Sequence, residues 1–165
     1  VAQDVQADEF GFVVLRSDSI IYVSTEFSVL LANSLTIENA SAMSLHNNTL
    51  FIVTEEGALH SVDASGNQFV YDGITVNSDR LIAYQDELIA LSENNQTVQF
   101  VDITNPRYPE VTGEFTLDIG YTAGRSKLNN GQVWLGGSAG AIVNIANNET
   151  GITQRYRTEN ARGFV

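Results

Sequence analysis

From Gly11 onward the apolar residues fall in short β-branched and aromatic runs separated by Asn, Asp, Ser and Gly, the pattern of strands joined by tight turns. No apolar period of 3.6 residues persists over the length of a helix. The stretch 77–93 comes nearest, with Leu81, Ile82, Tyr84, Leu88, Ile89 and Leu91, but comparison along the chain reads it as two strands. The clearest pattern is 97–115, TVQFVDITNPRYPEVTGEF, where Val98, Phe100, Val101 and Ile103 give way to Asn105-Pro106 and Tyr108-Pro109 before Val111 and Phe115 resume. Both prolines of the chain stand here. A ring that fixes φ and removes an N–H donor suits a tight connection and damages a strand interior, so this stretch predicts strand, turn, strand.

The same arrangement recurs in weaker form at 12–34, 43–65, 82–104 and 126–148. Each segment predicts three strands, the third ending at an Asn or Asp: Asn33, Asp63, Asp102 and Asn144. A variable segment follows each and predicts a fourth strand, at 36–38, 68–74, 111–117 and 152–158. Four-stranded units repeating roughly every 40 residues are the signature of propeller blades, whose small sheets bury their faces against one another. The expected fold is therefore all-β and β-propeller-like, with about four antiparallel four-stranded blades in an incomplete or closed ring; another all-β repeat or a sandwich is the alternative. Residues 1–8 read as a polar lead-in and 9–165 as one domain, with units at 11–39, 41–75, 80–118 and 123–159. The segment 161–165 looks like the start of a further unit, because ARGFV is similar to ADEFGFV at 7–13.

Residues 99–109 resemble the repeat of bacterial β-propellers named for a Leu-Val-Ile-Val-Asp pattern, the LVIVD type, in which an apolar strand ends in Asp, Asn-Pro follows and a further Pro precedes the outer strand. Residues 58–65 carry only the strand and the Asp, and the units ending at Asn33 and Asn144 depart further. The resemblance implies a β-propeller fold.

Composition narrows the partners. Twenty Asp and Glu face eight Lys and Arg, a net charge of −12, which repels polyphosphate and anionic lipid. Nucleic acid and membrane insertion are thus not expected; basic proteins or cations are. Cysteine is absent, which removes thiol catalysis and thiolate metal sites. No apolar run approaches the roughly 18 residues of a membrane span. Residue 1 is Val and the sole methionine is Met43, so the expectation is a chain from which a leader has gone or a piece of a longer one, in a secreted, periplasmic or cell-surface protein.

The candidate chemistry lies in the turns. Glu26, Glu55, Glu56 and Glu93 are expected at equivalent connections between the second and third strands of three units. Carboxylates converging there would suit a Ca2+ ion held by Glu26, Glu56 and Glu93, or a cationic partner. Two at the right separation would suit acid–base cleavage of a glycosidic bond. Trp134, with Tyr22, Phe51 and Tyr84, reads as a strand residue packing between blades; exposed beside Gly136 and Gly137, it would be a candidate for stacking on a sugar. Asn33, Asp63, Asp102, Asn144, Pro106 and Pro109 read as turn-forming residues, because Asx side chains accept backbone N–H bonds two residues on. His46 and His60, the only histidines, lack a third ligand at zinc spacing. No nucleophile–base ordering or phosphate-binding glycine motif is present.

The reading that follows is a non-catalytic binding or scaffold module, with no cofactor beyond Ca2+. It would offer loops on one face to a protein, glycan or cation, and would self-associate or take a protein partner if its ring is open. A polysaccharide hydrolase or lyase, and a purely structural assembly module, are the alternatives.

Overall fold

The computed structural model describes residues 2–7, 11–16, 20–24, 29–30, 37–47, 49–63, 68–71, 73–116, 121–129, 132–137, 141–146 and 152–157. They form four antiparallel four-stranded sheets, each following chain order. Sheet 1 holds β1 (Ala2–Ala7), β2 (Gly11–Arg16), β3 (Ile20–Ser24) and β4 (Val29–Leu30). Sheet 2 holds β5 (Ala40–His46), β6 (Thr49–Thr54), β7 (Leu59–Asp63) and β8 (Gln68–Val70). Sheet 3 holds β9 (Arg80–Tyr84), β10 (Glu87–Ser92), β11 (Thr97–Asp102) and β12 (Glu110–Thr116). Sheet 4 holds β13 (Tyr121–Asn129), β14 (Gln132–Gly137), β15 (Ala141–Ala146) and β16 (Ile152–Arg157).

The first strands touch in series, β1 to β5, β5 to β9 and β9 to β13, so the sheets stack around a common axis with β1, β5, β9 and β13 innermost. This is the blade arrangement of a β-propeller. Sequence pattern explains the stacking. Strands with one solvated face alternate apolar and polar, but β6 and β10 read TLFIVT and ELIALS, apolar at successive positions, and β10 is buried along its whole length. Such strands bury both faces.

Each face has its own core. Between sheets 1 and 2, Val13 and Leu15 meet Met43, Leu50, Ile52 and Val62. Between sheets 2 and 3, Phe51, Val53 and Leu59 meet Leu81, Leu88 and Val101. Between sheets 3 and 4, Ile89, Leu91 and Phe100 meet Val133 and Leu135, and Phe115 leans on Phe100 with ring centroids 5.9 Å apart. Neighbouring residues of one strand thus serve different interfaces, Phe51 one and Ile52 the other.

Polar bonds fix how one sheet sits on the next. Ser44 Oγ on β5 accepts from Ala83 N on β9 at 3.0 Å, and Ser41 Oγ lies 3.0 Å from both Val53 O and Ser78 O. Farther out, the buried Tyr71 hydroxyl donates to Pro106 O and pairs with Ser61 Oγ, while the Arg107 guanidinium lies 5.6 Å from the centre of the Phe69 ring. The Asn-Pro turn of sheet 3 therefore grips the outer part of sheet 2.

Two expectations are corrected. The supposed polar lead-in at 1–8 contains β1, paired with β2 from Ala2↔Arg16 to Ala7↔Phe12. Its sequence, AQDVQA, carries little strand signal because the ladder to an apolar neighbour, not its own side chains, holds it. Consequently the unit expected at 11–39 is out of phase by one strand: residues 11–16 are second in the sheet, 20–24 third and 29–30 fourth. The strand expected at 36–38 is absent at its described residues, where buried Ile37 precedes a turn and fills the core between sheets 1 and 2. The segment 161–165 lies outside the described residues.

Tyr71→Phe is expected to cost about 1–2 kcal/mol, the worth of a buried hydrogen bond whose acceptor is left without it. A lower thermal midpoint at pH 7 would check this. Burial raises the Tyr71 phenol above its usual range, with the Ser61 bond pulling the other way. A raised acid group contributes stability below its unfolded pKa, near pH 10, and loses it as pH climbs through the folded value. The gap between wild type and Tyr71→Phe should therefore narrow in strong alkali.

Candidate functional site

The turn joining β6 to β7 is Glu55-Glu56-Gly57-Ala58, and it closes because Gly57 takes φ 84° and donates its N–H to Thr54 O at 2.9 Å. Left-handed backbone at that position favours glycine. Glu93 begins the β10–β11 turn, in which Gln96 takes φ 53° and its side-chain amide donates to Glu93 O. The segment between β8 and β9 reaches both turns. Val76 N donates to Gly57 O at 2.9 Å, and Glu93 N donates to Asp79 Oδ2 at 2.7 Å. Glu55 N donates to Asn39 O at 2.8 Å, which brings the approach to β5 to the same end.

Glu55, Glu56 and Glu93 consequently share one end of adjacent sheets, joined by Glu38 and Asp79. In the described turns and linkers of this end (37–39, 55–58, 73–79 and 93–96) these are the five charged side chains, and all are acidic. Glu38, Glu55, Glu56 and Asp79 are exposed and Glu93 half-buried. These turns and linkers thus form a negatively charged rim on a rigid base, with half-buried Arg80 following Asp79 at the start of β9. Gln99, buried in β11, supports it: its Oε1 accepts from Asn77 N at 2.9 Å, and its Nε2 donates to Glu114 Oε2 at 2.8 Å.

Glu26 lies outside the described residues. Chain order puts it between β3 and β4, whereas Glu55, Glu56 and Glu93 stand between second and third strands. The equivalence expected of Glu26 fails because β1 shifts the phase of sheet 1. Among the described residues no three His, Asp or Glu side chains are close enough to hold a metal ion. Trp134 is half-buried within β14, in register with Lys127 and Asn144, so it belongs to a sheet and not to the acidic rim.

Of the residues expected at turns, Asp63, Asp102, Pro106 and Pro109 occupy the opposite end. Asp102 Oδ1 accepts from Thr104 N at 2.8 Å, and Asn105 Oδ1 accepts from Arg107 N at 3.1 Å, two consecutive Asx turns. The Thr104 bonds hold the Asp102 carboxyl below its usual range. Pro106 is exposed and Pro109 buried. Asp63 closes β7, half-buried; Asn33 lies outside the described residues, and Asn144, expected to end its strand at a turn, instead stands within β15, paired with Trp134 and Gln154, because the ladder runs on to Ala146. His60 is half-buried, which lowers its pKa, and its Nδ1 is 3.3 Å from Gln68 Nε2.

A cavity of about 240 Å³ at this end is lined by Tyr84, Gln85, Asp86, Glu87, Asp102, Thr104 and Thr112. Glu87, 4% exposed, is the residue that sequence reasoning missed. The available signal was a carboxylate heading the otherwise apolar β10.

No family model matches the chain, and no curated protein matches it. Solved structures do. BamB from Moraxella catarrhalis is 16% identical with a TM-score of 0.68, over 94% of this chain and 48% of that one. Hsv2 from Kluyveromyces lactis is 10% identical with a TM-score of 0.67, over 98% of this chain and 58% of that one. A chain of the nidogen/laminin complex is 9% identical with a TM-score of 0.66, over 93% of this chain and 62% of that one. All are β-propeller proteins, and this chain has the β-propeller fold. It spans about half the length of the solved structures it matches.

Two substitutions test the construction of the two ends. A Cβ at Gly57 would lie 2.8 Å from Thr75 Cγ2, a stiff β-branched neighbour, at a φ that L residues avoid. Gly57→Ala should cost about 1–3 kcal/mol, measured as a lower urea midpoint. Asp102→Ala should cost less than about 1 kcal/mol at pH 7, because solvent screens the exposed carboxylate. A depressed carboxyl contributes stability above its unfolded pKa, near pH 4, and loses it as pH falls through the folded value. The difference between Asp102→Ala and wild type should therefore shrink below pH 4.

Proposed function

We propose that this chain is a non-catalytic binding module of a β-propeller protein, and that its acidic rim receives a basic segment of a protein partner. The observation that carries the reading is the gathering of Glu38, Glu55, Glu56, Asp79 and Glu93 at one end of adjacent sheets, with no cation among the described turn and linker residues there. Like charges concentrated on rigid turns attract and orient an oppositely charged partner, and they act on association rate and specificity before contact is made. The net charge of −12 extends the attraction beyond the rim. One structural neighbour was solved in a protein–protein complex, the nidogen/laminin complex, which supports propellers of this shape as protein-binding scaffolds. The exposure of Glu55 and Glu56 favours binding over glycoside cleavage, where the catalytic acid is kept protonated by a desolvated setting. The resemblance of residues 99–109 to the LVIVD repeat supports a bacterial protein working outside the cytoplasm.

The test uses a fluorescent oligo-arginine peptide as the basic probe. Wild type should bind it with an affinity that falls steeply with salt. The combined Glu55→Gln, Glu56→Gln and Glu93→Gln variant, altered at surface turns, should keep its fold and bind about tenfold more weakly, as expected of a few surface charge contacts worth roughly 0.5 kcal/mol each. Equal binding by the variant would overturn the assignment of the rim. Release of reducing ends from a polysaccharide panel by wild type, abolished in the variant, would overturn the reading in favour of catalysis.

A further inference from the structure

The face of sheet 3 that packs on sheet 4 changes character towards the end that carries the cavity. Ile82, Ile89 and Phe100 stand opposite one another in the ladders and share a core with Val133 and Leu135. Two positions along each strand, the same face continues as Tyr84, Glu87 and Asp102, again opposite one another. An apolar row is thus followed directly by a polar one, and its middle member, Glu87, is 4% exposed. The cavity of about 240 Å³ is lined by this row together with Asp86, Thr104 and Thr112, and every residue of its wall has a polar side chain. The wall is held in place: Ile103 N donates to Asp86 O at 2.8 Å, Thr104 N to Asp102 Oδ1 at 2.8 Å, and Thr112 Oγ1 to Phe100 O at 3.3 Å. The fold does not demand a carboxylate at this place. The equivalent row of sheet 2 is His46, Thr49 and Asp63, all half-buried, with Thr49 heading β6 as Glu87 heads β10. In sheet 3 a carboxylate is buried where a hydroxyl suffices, at a cost in desolvation. Glu87 is engaged by other contacts, but its buried Oε1 atom accepts no hydrogen bond.

We propose that this cavity binds an organic cation through its N–H groups, an ammonium or a guanidinium, with buried Glu87 as the inner acceptor and exposed Asp86 as the charge at its outer edge. It lies at the end opposite the acidic rim and does not depend on the reading of that rim. Asp86, Glu87 and Asp102 together favour a cation over an anion. Among the described residues no three His, Asp or Glu side chains are close enough to hold a metal ion, so these carboxylates are spaced for a larger cation with several N–H donors. The volume sets the size. Pockets for drug-sized molecules begin at about 300 Å³. A cavity of about 240 Å³ suits one charged group on a short stem. The same chemistry is carried by a free amine and by the end of a Lys or Arg side chain, and the experiment separates these sources.

Titration of the isotope-labelled chain with n-butylamine and with ethylguanidine at pH 7, where both are cations, tests the site by NMR. Either probe should move the amide resonances of Gln85, Asp86, Thr104 and Thr112 saturably, whereas uncharged n-butanol should not. Glu87→Gln keeps the shape of the side chain and removes its charge, and should weaken binding at least about tenfold. Asp86→Asn, at an exposed turn position that leaves the core untouched, should weaken it about threefold, and decides alone if Glu87→Gln does not fold. Tighter binding of N-acetyl-lysine methylamide than of n-butylamine would assign the site to a partner's side chain; the reverse order would assign it to a free amine. No shifts at about 50 mM of either cation, equal shifts with n-butanol, or unchanged binding in the folded variants would each overturn the proposal. Both variants keep Glu55, Glu56 and Glu93, so failure here leaves the reading of the rim standing.

Discussion

A four-stranded sheet whose strands are apolar on both faces has no stable existence by itself, and everything else in this protein depends on that constraint. Burying one Leu, Ile or Phe side chain contributes about 1.5–3 kcal/mol, whereas a hydrogen bond contributes about 1. The core between sheets 2 and 3 alone engages Phe51, Val53, Leu59, Leu81, Leu88, Val101 and Ile103. Stacking therefore outweighs the polar bonds, and each sheet is stabilised chiefly by its neighbours.

Apolar contact is non-directional, so something else must set the angle between sheets. Here directional bonds lie along the junctions: Ser44 and Ser41 near the axis, Gln99 at the acidic end, and Tyr71 with Pro106 on the outer side. They add little to stability compared with the cores but exclude alternative rotations, since a slipped sheet would leave buried polar atoms without partners. The Asn-Pro turn has this role. Its Asx bonds and Pro109 shape a loop that presents Pro106 O to Tyr71 and Arg107 to Phe69.

Once the sheets are locked, the ends of the strands become two different surfaces. One end gathers carboxylates on short turns bridged by residues 73–79; the other holds Asp102 in an Asx turn and places Asp86, Glu87 and Asp102 around a cavity. The carboxylates of the first end face water, where they can act at a distance, whereas Asp102 at the second accepts a local backbone N–H and so shapes its turn.

The chain by itself determined the local elements and their repetition. Alternation, two-faced apolar runs and turn residues predict the strands of sheets 2, 3 and 4, and Asp102, Asn105 and the prolines are legible as turn formers because those preferences reside in the residue and its nearest neighbours. Sheet 1 escaped because AQDVQA is made a strand by its ladder to β2, and that error carried Glu26 into a false equivalence with Glu55, Glu56 and Glu93. Tertiary structure alone decided which turns share an end, that Asp79 and Glu38 join the rim, and that Glu87 borders a cavity. Those facts depend on how sheets are rotated about a common axis. That rotation is set by contacts between residues tens of positions apart, such as Ser44 with Ala83 and Tyr71 with Pro106, which no local pattern encodes.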